Sequence, residues 1–513
     1  MRQEKCIPTS AIFGFLHHSP INSSLYAEGV YTRPLQSRRR THSSFKMGSE
    51  NQTDNHEISG SRSPPRVPHV VVVPYPSQGH INPLLQFAKR LSSLGLKTTL
   101  ASTTTTATTL PAGISVEIIA DNLGSSPVVG QESDFLSSLK SNGSETLARL
   151  IERHARTDSP VCCVVYDAFL PWALDVARAH GVRGAAFFTN SAIVSALFRL
   201  VHGGRLHLPL EVEEVMKVVP GGGITWETRD LPSFLTRPES YPAYLEMKLS
   251  QFGNLDFAHW VFCNSFDDLE SQVLKGIVPD QFPAKLIGPM VPSAYLDNAI
   301  EGDKGYGASL WKPLSHQCRT WLDSKPIKSV VYISFGSMAS LTREQTSEIA
   351  TTLIEHDFPF LWIVRESQLD TLPDGFFEST KEKGMVATWC DQLEVLVHPS
   401  LGCFVTHCGW NSTLEGLCLG VPMVGVPQWT DQFTDAKFVS DVWRVGVRAR
   451  VDEVGMVRKA ELAACLAEVM VDGKSREEMY GNGIKWKELA KKALSKEGSS
   501  SKNIDEFVKE LRA

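Results

Sequence analysis

The chain has 513 residues, 42% of them hydrophobic and 21% charged, an ordinary balance for a globular enzyme of two or three domains. A formal charge of −6 gives no reason to expect nucleic-acid binding, and no apolar run approaches the roughly 18 residues of a membrane span. The ten cysteines are scattered without a Cys-x-x-Cys pair, the pattern of reduced thiols rather than of a disulfide framework or zinc site.

Residues 1–66 are rich in Ser, Arg, Asn and His, carry the basic run Arg38-Arg39-Arg40, and hold only Glu4 and Glu28 as acids before Met47. A disordered extension is expected there. It reads as a transit peptide or, preferred here, as an upstream extension before a working start at Met47. The preferred reading goes with a cytoplasmic location, the other with plastid targeting by residues 1–46. Sequons occur at Asn22, Asn51, Asn142 and Asn411. The last falls inside an anion site described below, so all four are read as chance.

From Pro68 an α/β alternation begins. Residues 69–73 read as a strand. The turn-rich Pro74-Tyr75-Pro76-Ser77-Gln78-Gly79-His80 follows, then an amphipathic helix over 81–94 closed by Gly95. Strands are predicted at 96–101 and 116–120, a long helix at 135–156, and a fourth strand at 161–166 that runs into Asp167. A helix over 171–180 is closed by Gly181. This alternation predicts a parallel sheet with helices on both faces. In the commonest doubly wound order strands one and four are neighbours, and ligands sit beyond their carboxyl ends. His80 and Asp167 are thereby expected in one crevice.

Residues 291–313, with Gly302, Gly305 and Gly307, read as an interdomain linker. A second α/β unit opens with a strand at 329–334, the turn Gly336-Ser337, a helix at 344–356 and a strand at 360–364. Its later part is the stretch 389–432, WCDQLEVLVHPSLGCFVTHCGWNSTLEGLCLGVPMVGVPQWTDQ. There 402–406 is an apolar strand, His407-Cys408-Gly409-Trp410 turns the chain, and Asn411 or Ser412 is expected to cap the next helix. That helix should end near Gly420, with Pro422 beyond. A buried strand over 421–426 empties into a polar loop, 427–432. A helix starting just after a strand presents free N–H groups and a positive dipole end to an anion. His407, Asn411 and Ser412 lie at that end, with Glu415 one turn along. The arrangement suits a phosphate beside a hydroxylated sugar, and equally a capped helix in an α/β core. The chain thus divides into 1–66, an N-terminal domain 67–290, the linker 291–313, a C-terminal domain 314–485, and a tail 486–513 whose charged amphipathic helix is expected to pack back on the first domain.

The opening Trp389, the HCGWNS core 407–412, Glu415 and the closing Trp429-Thr430-Asp431-Gln432 resemble the signature box of plant family-one UDP-sugar glycosyltransferases. The similarity runs from about residue 67 to the C-terminus. It implies the α/β GT-B architecture, two Rossmann-like doubly wound domains facing across a cleft. It also implies that Trp389 stacks on uracil, as aromatics commonly do with bases, that Glu415 accepts from the ribose hydroxyls, and that Gln392 meets the base edge or ribose. His407, Asn411, Ser412 and Ser337 would converge on the diphosphate and stabilise the charge that grows there. Trp429, Asp431 and Gln432 would hold the sugar, the closing Gln going with glucose in the family. Thr189 matches a position that touches the sugar's outer hydroxyl, and Gln78, Cys390 and Trp410 are placed on the donor side.

An acceptor hydroxyl must lose a proton as it attacks. His80 in PSQGHINP resembles the family's catalytic histidine loop, and Asp167 in YDAFLPW its partner. A carboxylate on one ring nitrogen fixes the tautomer and supports the imidazolium; an acid acceptor, already ionised, needs this less. No Asp-x-Asp pair occurs, and neither a metal nor another cofactor is expected. Tyr75, Trp172, Phe188 and Phe234 are candidates for the acceptor wall. The implied function is an inverting UDP-glucosyltransferase acting on a small plant metabolite, a phenolic, a hormone-like acid or a terpenoid. Its partners would be UDP-glucose and that acceptor, and a monomer is expected. Two alternatives stand beside it. A nicotinamide oxidoreductase would need a Gly-x-Gly-x-x-Gly after a first strand, which is missing. A nucleotide-sugar sensor without turnover would not need His80 and Asp167.

Overall fold

The computed structural model describes residues 66–103, 113–120, 132–219, 224–274, 282–309 and 311–513. The readings made for residues 1–65, including Met47, the basic run and the sequons Asn22 and Asn51, lie outside the described residues.

Two parallel sheets organise the chain. The first contains β1 (His69–Val73), β2 (Lys97–Ser102), β3 (Ile114–Ile118), β4 (Val161–Asp167), β5 (Arg183–Phe188), β6 (Trp260–Cys263) and β7 (Lys285–Leu286), in the order β3-β2-β1-β4-β5-β6-β7. The second contains β8 (Val330–Ser334), β9 (Phe360–Ile363), β10 (Gly384–Ala387), β11 (Leu401–Thr406), β12 (Met423–Gly425) and β13 (Gly446–Arg448), in the order β10-β9-β8-β11-β12-β13. The central strands β1, β8 and β11 are buried along their whole length. That explains their unbroken apolar runs, since helices cover both faces. The order in which strands are added reverses between β1 and β4 in one sheet and between β8 and β11 in the other. Each reversal opens a crevice at the carboxyl ends, and the candidate residues cluster at these two points. The architecture is α/β GT-B.

Several boundaries moved. The first helix spans Gln78–Ser93, so Gln78, Gly79 and His80, read as loop, form its opening turn. The second-domain helix spans Trp410–Leu419 with Gly409 at its N-cap, so neither Asn411 nor Ser412 caps it. Both lie inside the first turn, and their side chains are free to face other elements. The helix stops at Gly420, whose φ of 72° is left-handed and suits glycine. The polar loop is shorter than expected, because Gln432 already opens the helix Gln432–Lys437.

The passage 291–313 is bound to the first domain rather than spanning free space. Asp303 accepts from Lys89 Nζ (2.8 Å), Gln86 Nε2 (2.6 Å) and the Ser293 N–H (2.7 Å), and Asp297 takes a bidentate pair from Arg90. Both ion pairs are buried, where losing one partner would strand a charge. The terminal helix Ser499–Arg512 lies on the first sheet. Phe507 meets Phe87, Trp260 and Phe262, Ser500 Oγ donates to Gly288 O (2.6 Å), and Trp260 Nε1 donates to Glu510 (2.8 Å).

Candidate active site

Between the carboxyl ends of the two sheets lies a cavity of about 900 Å³. His80 enters it from the helix after β1. Its Nδ1 lies 2.6 Å from Asp167 Oδ2, so residues 87 positions apart meet as the sheet order requires. Asp167 is almost fully buried and further accepts the N–H groups of Phe169 (3.0 Å, at Oδ1) and Tyr75 (3.4 Å, at Oδ2). The carboxylate is therefore fixed, Nδ1 is occupied, and Nε2 is the ring nitrogen left for a reacting group. Tyr75 and Phe169 flank the imidazole at 5.2 and 4.7 Å between centroids. Thr189 Oγ1 sits 3.1 Å from His80 Nδ1, which puts it beside the imidazole as well as on the cavity wall.

The opposite wall is built from the second domain. His407 follows β11 and presses against the turn after β8. A Cβ on Gly336, whose φ is 72°, would come within 2.7 Å of the imidazole, and one on Gly409 within 2.5 Å. Only glycine allows His407 to lie this deep. Burial pushes its pKa down to about 4, against the pull of Asp431, so at neutral pH it offers an N–H dipole rather than a cation. Its Nδ1 has no hydrogen-bond partner among the described residues. Ser337 and Ser412 line the same region. Asn411 reaches it too, but its amide donates across the cleft to Gly79 O. Trp410 likewise donates to Asn264 O at 2.7 Å and is buried. These two side chains hold the domains together as much as they line the cavity.

Glu415 is buried, and its two oxygens accept from Tyr306 Oη (2.8 Å) and Gln392 Nε2 (2.7 Å). Burial raises its pKa to about 7, partly offset by these donors. Gln392 is itself oriented by Ser412 and Tyr332. Trp389 lines the cavity, with Trp311 tilted against it at 4.5 Å. Cys390 is buried beside Tyr332. Gln78 donates to Ala308 O (3.0 Å) and so ties the helix start to the passage before the second domain.

The loop 429–432 is clamped by the first domain. The Thr430 N–H donates to Ser233 Oγ (2.7 Å) and the Ser233 N–H to Thr430 O (3.0 Å). Phe234, Tyr241 and Tyr244 surround Trp429 at 5.3 to 5.6 Å. Gln432 Oε1 accepts the N–H groups of Gln428 and Trp429, which shapes the loop and leaves its NH2 as the group for a ligand. Asp431 is buried, 3.7 Å from Lys248 Nζ.

Of the four acceptor candidates, Tyr75 and Phe234 line the cavity; Trp172 and Phe188 do not. Trp172 packs over Gly143 of the helix Glu132–Ala155, where any Cβ would collide with the indole. Phe188 is stacked on Phe252 and edge-on to Phe282. Both are core residues, the more frequent fate of a large aromatic. The reading missed Phe169, Tyr244, Met247, Lys248, Tyr306, Trp311 and Met338, all on the cavity wall. Phe169 sits two residues past Asp167 and could have been found; Tyr306 and Trp311 lie in the run YGASLWKP of the passage read as a linker, and the others come from helices and irregular chain with no local motif. Among the described residues, no group of three His, Cys, Asp or Glu side chains could hold a metal, and no helix is long and apolar enough to cross a membrane.

Residues 263–482 match the family model described as UDP-glucoronosyl and UDP-glucosyl transferase, and 67–110 match the glycosyltransferase N-terminal domain. UDP-glycosyltransferase 74B1 of Arabidopsis thaliana is 48% identical over 452 residues, covering 86% of this chain and 97% of that protein. Flavonol 7-O-beta-glucosyltransferase UGT74F1 of the same plant is 44% identical, covering 86% and 98%. Among solved structures, Os79 from O. sativa in complex with UDP superposes with a TM-score of 0.81 at 36% identity, covering 86% of this chain and all of that one.

Proposed function

The chain belongs to the plant UDP-glycosyltransferase family, whose members transfer glycosyl groups from UDP-sugars to small molecules, and we propose that it is an inverting glucosyltransferase using UDP-glucose. The acceptor is a hydroxyl or carboxyl group of a small plant metabolite. The reading rests on one observation: a buried His–Asp pair from the first domain faces, across a single cavity, the ring, carboxylate and helix start supplied by residues 389–432.

In this reading Trp389 carries the uracil and Glu415 the ribose, with Gln392 beside both. The free N–H groups at the start of the helix Trp410–Leu419, with His407, Ser412 and Ser337, take the diphosphate. Charge grows on that diphosphate as the C1–O bond breaks, so donors fixed before the reaction stabilise the transition state more than the ground state. Asp431, Gln432 and Trp429 hold the glucose ring. His80 Nε2 removes the proton from an acceptor hydroxyl, and Asp167 holds the tautomer that leaves Nε2 unprotonated. Attack from the side opposite the diphosphate gives a β-glucoside. No step in this sequence requires a metal. An acceptor screen with purified protein and UDP-glucose, read by mass spectrometry, tests donor, activity and acceptor class together. Binding of UDP-glucose without transfer to any acceptor would favour a sensor instead.

A further inference from the structure

Lys248 is the least expected group on the cavity wall. It lies on the helix Pro242–Ser250 and, unusually for a lysine, is only 5% exposed. Its ammonium sits over Phe169 (5.3 Å) and Phe198 (5.1 Å). Among the described residues its ion-pair partner is Asp431, whose Oδ1 lies 3.7 Å from Nζ. Lys312, the other amine on the wall, is exposed. Lys248 is thus a desolvated cation, loosely paired, on the aromatic side of the cavity.

Its position relative to the base is fixed by one ring. The Phe169 ring centre lies 4.7 Å from that of the His80 imidazole and 5.3 Å from the Lys248 ammonium. Both groups line the same cavity, so an acceptor whose nucleophile reaches His80 Nε2 shares that cavity with Lys248. Two aromatic faces supply part of the compensation a buried ammonium needs. The rest falls to carboxylates. Burial lowers the lysine's pKa, and Asp431, Asp435 and Asp167 oppose that shift. Asp431, assigned to the sugar hydroxyls, keeps its charge as it accepts from them, so Lys248 stays compensated and still has three N–H donors, which an anion in the cavity can share.

We propose that Lys248 selects an acceptor carrying an ionised acidic group, a carboxylate or an equally acidic nucleophile, over its neutral isostere. The proposal rests on the glucosyltransferase reading above and narrows its acceptor class. Where the acidic group is itself the nucleophile, its oxygen attacks C1 of glucose as the bond from C1 to the diphosphate oxygen breaks. UDP leaves with that electron pair, and no proton is transferred. Where the acid is a bystander, a neighbouring hydroxyl attacks, His80 takes its proton, and Lys248 only orients the molecule.

The test compares 4-hydroxybenzoate with 4-hydroxybenzamide, equal in shape but not in charge. Wild-type enzyme should show a kcat/KM ratio of at least tenfold in favour of the acid. Lys248→Met should reduce that ratio to below threefold, mainly through the KM of the acid, and Lys248→Arg should restore part of it. Alkaline lability of the product separates the two sources of the anion, since a glucose ester is cleaved and a phenolic glucoside is not. A wild-type ratio near one, or an equal loss on both acceptors in Lys248→Met, overturns the proposal and leaves Lys248 as a support for Asp431. Inhibition of the wild type by benzoate against benzamide gives the same answer should the variant fail to fold: a tenfold stronger effect of benzoate supports the proposal, and equal inhibition overturns it. Absence of UDP release with every acceptor would instead overturn the glucosyltransferase reading.

Discussion

Asp167→Asn is the sharpest probe of the base. Asp167 presents two oxygens with different tasks: Oδ2 accepts from His80 Nδ1 at 2.6 Å and distantly from the Tyr75 N–H at 3.4 Å, while Oδ1 accepts from the Phe169 N–H at 3.0 Å. Asparagine has one acceptor and one donor for these two places. If its NH2 faces Phe169, two donors meet in a fully buried site, at a cost of about 1–3 kcal/mol. If its NH2 faces His80, only the long bond from Tyr75 is lost, and the imidazole can accept at Nδ1 by moving its proton to Nε2. The second arrangement is favoured, and it protonates the atom that must act as base. Loss of general-base catalysis should lower kcat on a weakly acidic phenol about 10³-fold, roughly 4 kcal/mol in the barrier. UDP-glucose binding, followed by calorimetry, should hardly change. A benzoate-type acceptor, ionised beforehand, should lose far less. Initial rates of UDP release on the paired acceptors measure all of this. A loss below tenfold on the phenol, or an equal loss on both, would refute the assignment of His80 as base.

In the proposed role Glu415 is ionised when it accepts from both ribose hydroxyls, and its pKa is raised to about 7. The dissociation constant of UDP-glucose should therefore rise about fivefold between pH 7 and 6 as the competent fraction falls; Glu415→Gln should bind more weakly and lose that pH dependence. His69, buried in β1 between Ser159 O and Thr99 Oγ1, is held by burial at a pKa of about 4. The unfolded chain protonates it first, so stability is whole above about pH 6.5 and falls by about 3 kcal/mol as pH drops to 4; thermal unfolding across that range checks it, and His69→Gln should flatten the slope. Gln432→His removes the acceptor that shapes the loop and the NH2 offered to the sugar, so the preference for UDP-glucose over UDP-galactose should shrink, measured as a ratio of kcat/KM. Turnover should be undiminished after EDTA treatment; a loss restored by added divalent metal would contradict the metal-free scheme.

Fold and site were legible to different depths. The alternation from Pro68 onward carries the sheet order, because buried parallel strands must be continuous and apolar, and Gly95, Gly181 and Gly420 stop helices where left-handed backbone is needed. Helix starts were less legible: a side-chain cap was expected at Asn411 or Ser412, but the backbone of Gly409 serves, and the HCGWNS core gives no local sign of that choice. Residues 389–432 were readable because their functional side chains are close in sequence. The rest of the cavity wall was legible only in Tyr75 and Phe234, because it also gathers Phe169, Tyr244 and Lys248 from separate elements. Periodicity cannot tell an aromatic lining a cavity from one filling a core, and so Trp172 and Phe188 were misplaced.

The clamps across the cleft bear on how the enzyme turns over. Asn411 to Gly79, Trp410 to Asn264, and the paired bonds between Ser233 and Thr430 all join the two sheets at the rim of one cavity. Each links a donor-side residue to backbone or side chain beside the acceptor side. The Asn411 bond touches the opening turn that carries His80, and the Thr430 bonds lie next to Asp431. These bonds tie the turn that carries His80 and the loop 429–432 each to the facing domain. A reaction that forms one bond as another breaks depends on such alignment, since an error of about 1 Å in the approach can cost roughly 10²-fold in rate. It follows that Ser233→Ala, which touches neither reacting atom, should lower kcat more than it raises the KM for UDP-glucose. A change confined to KM would mean that the clamp serves donor binding alone.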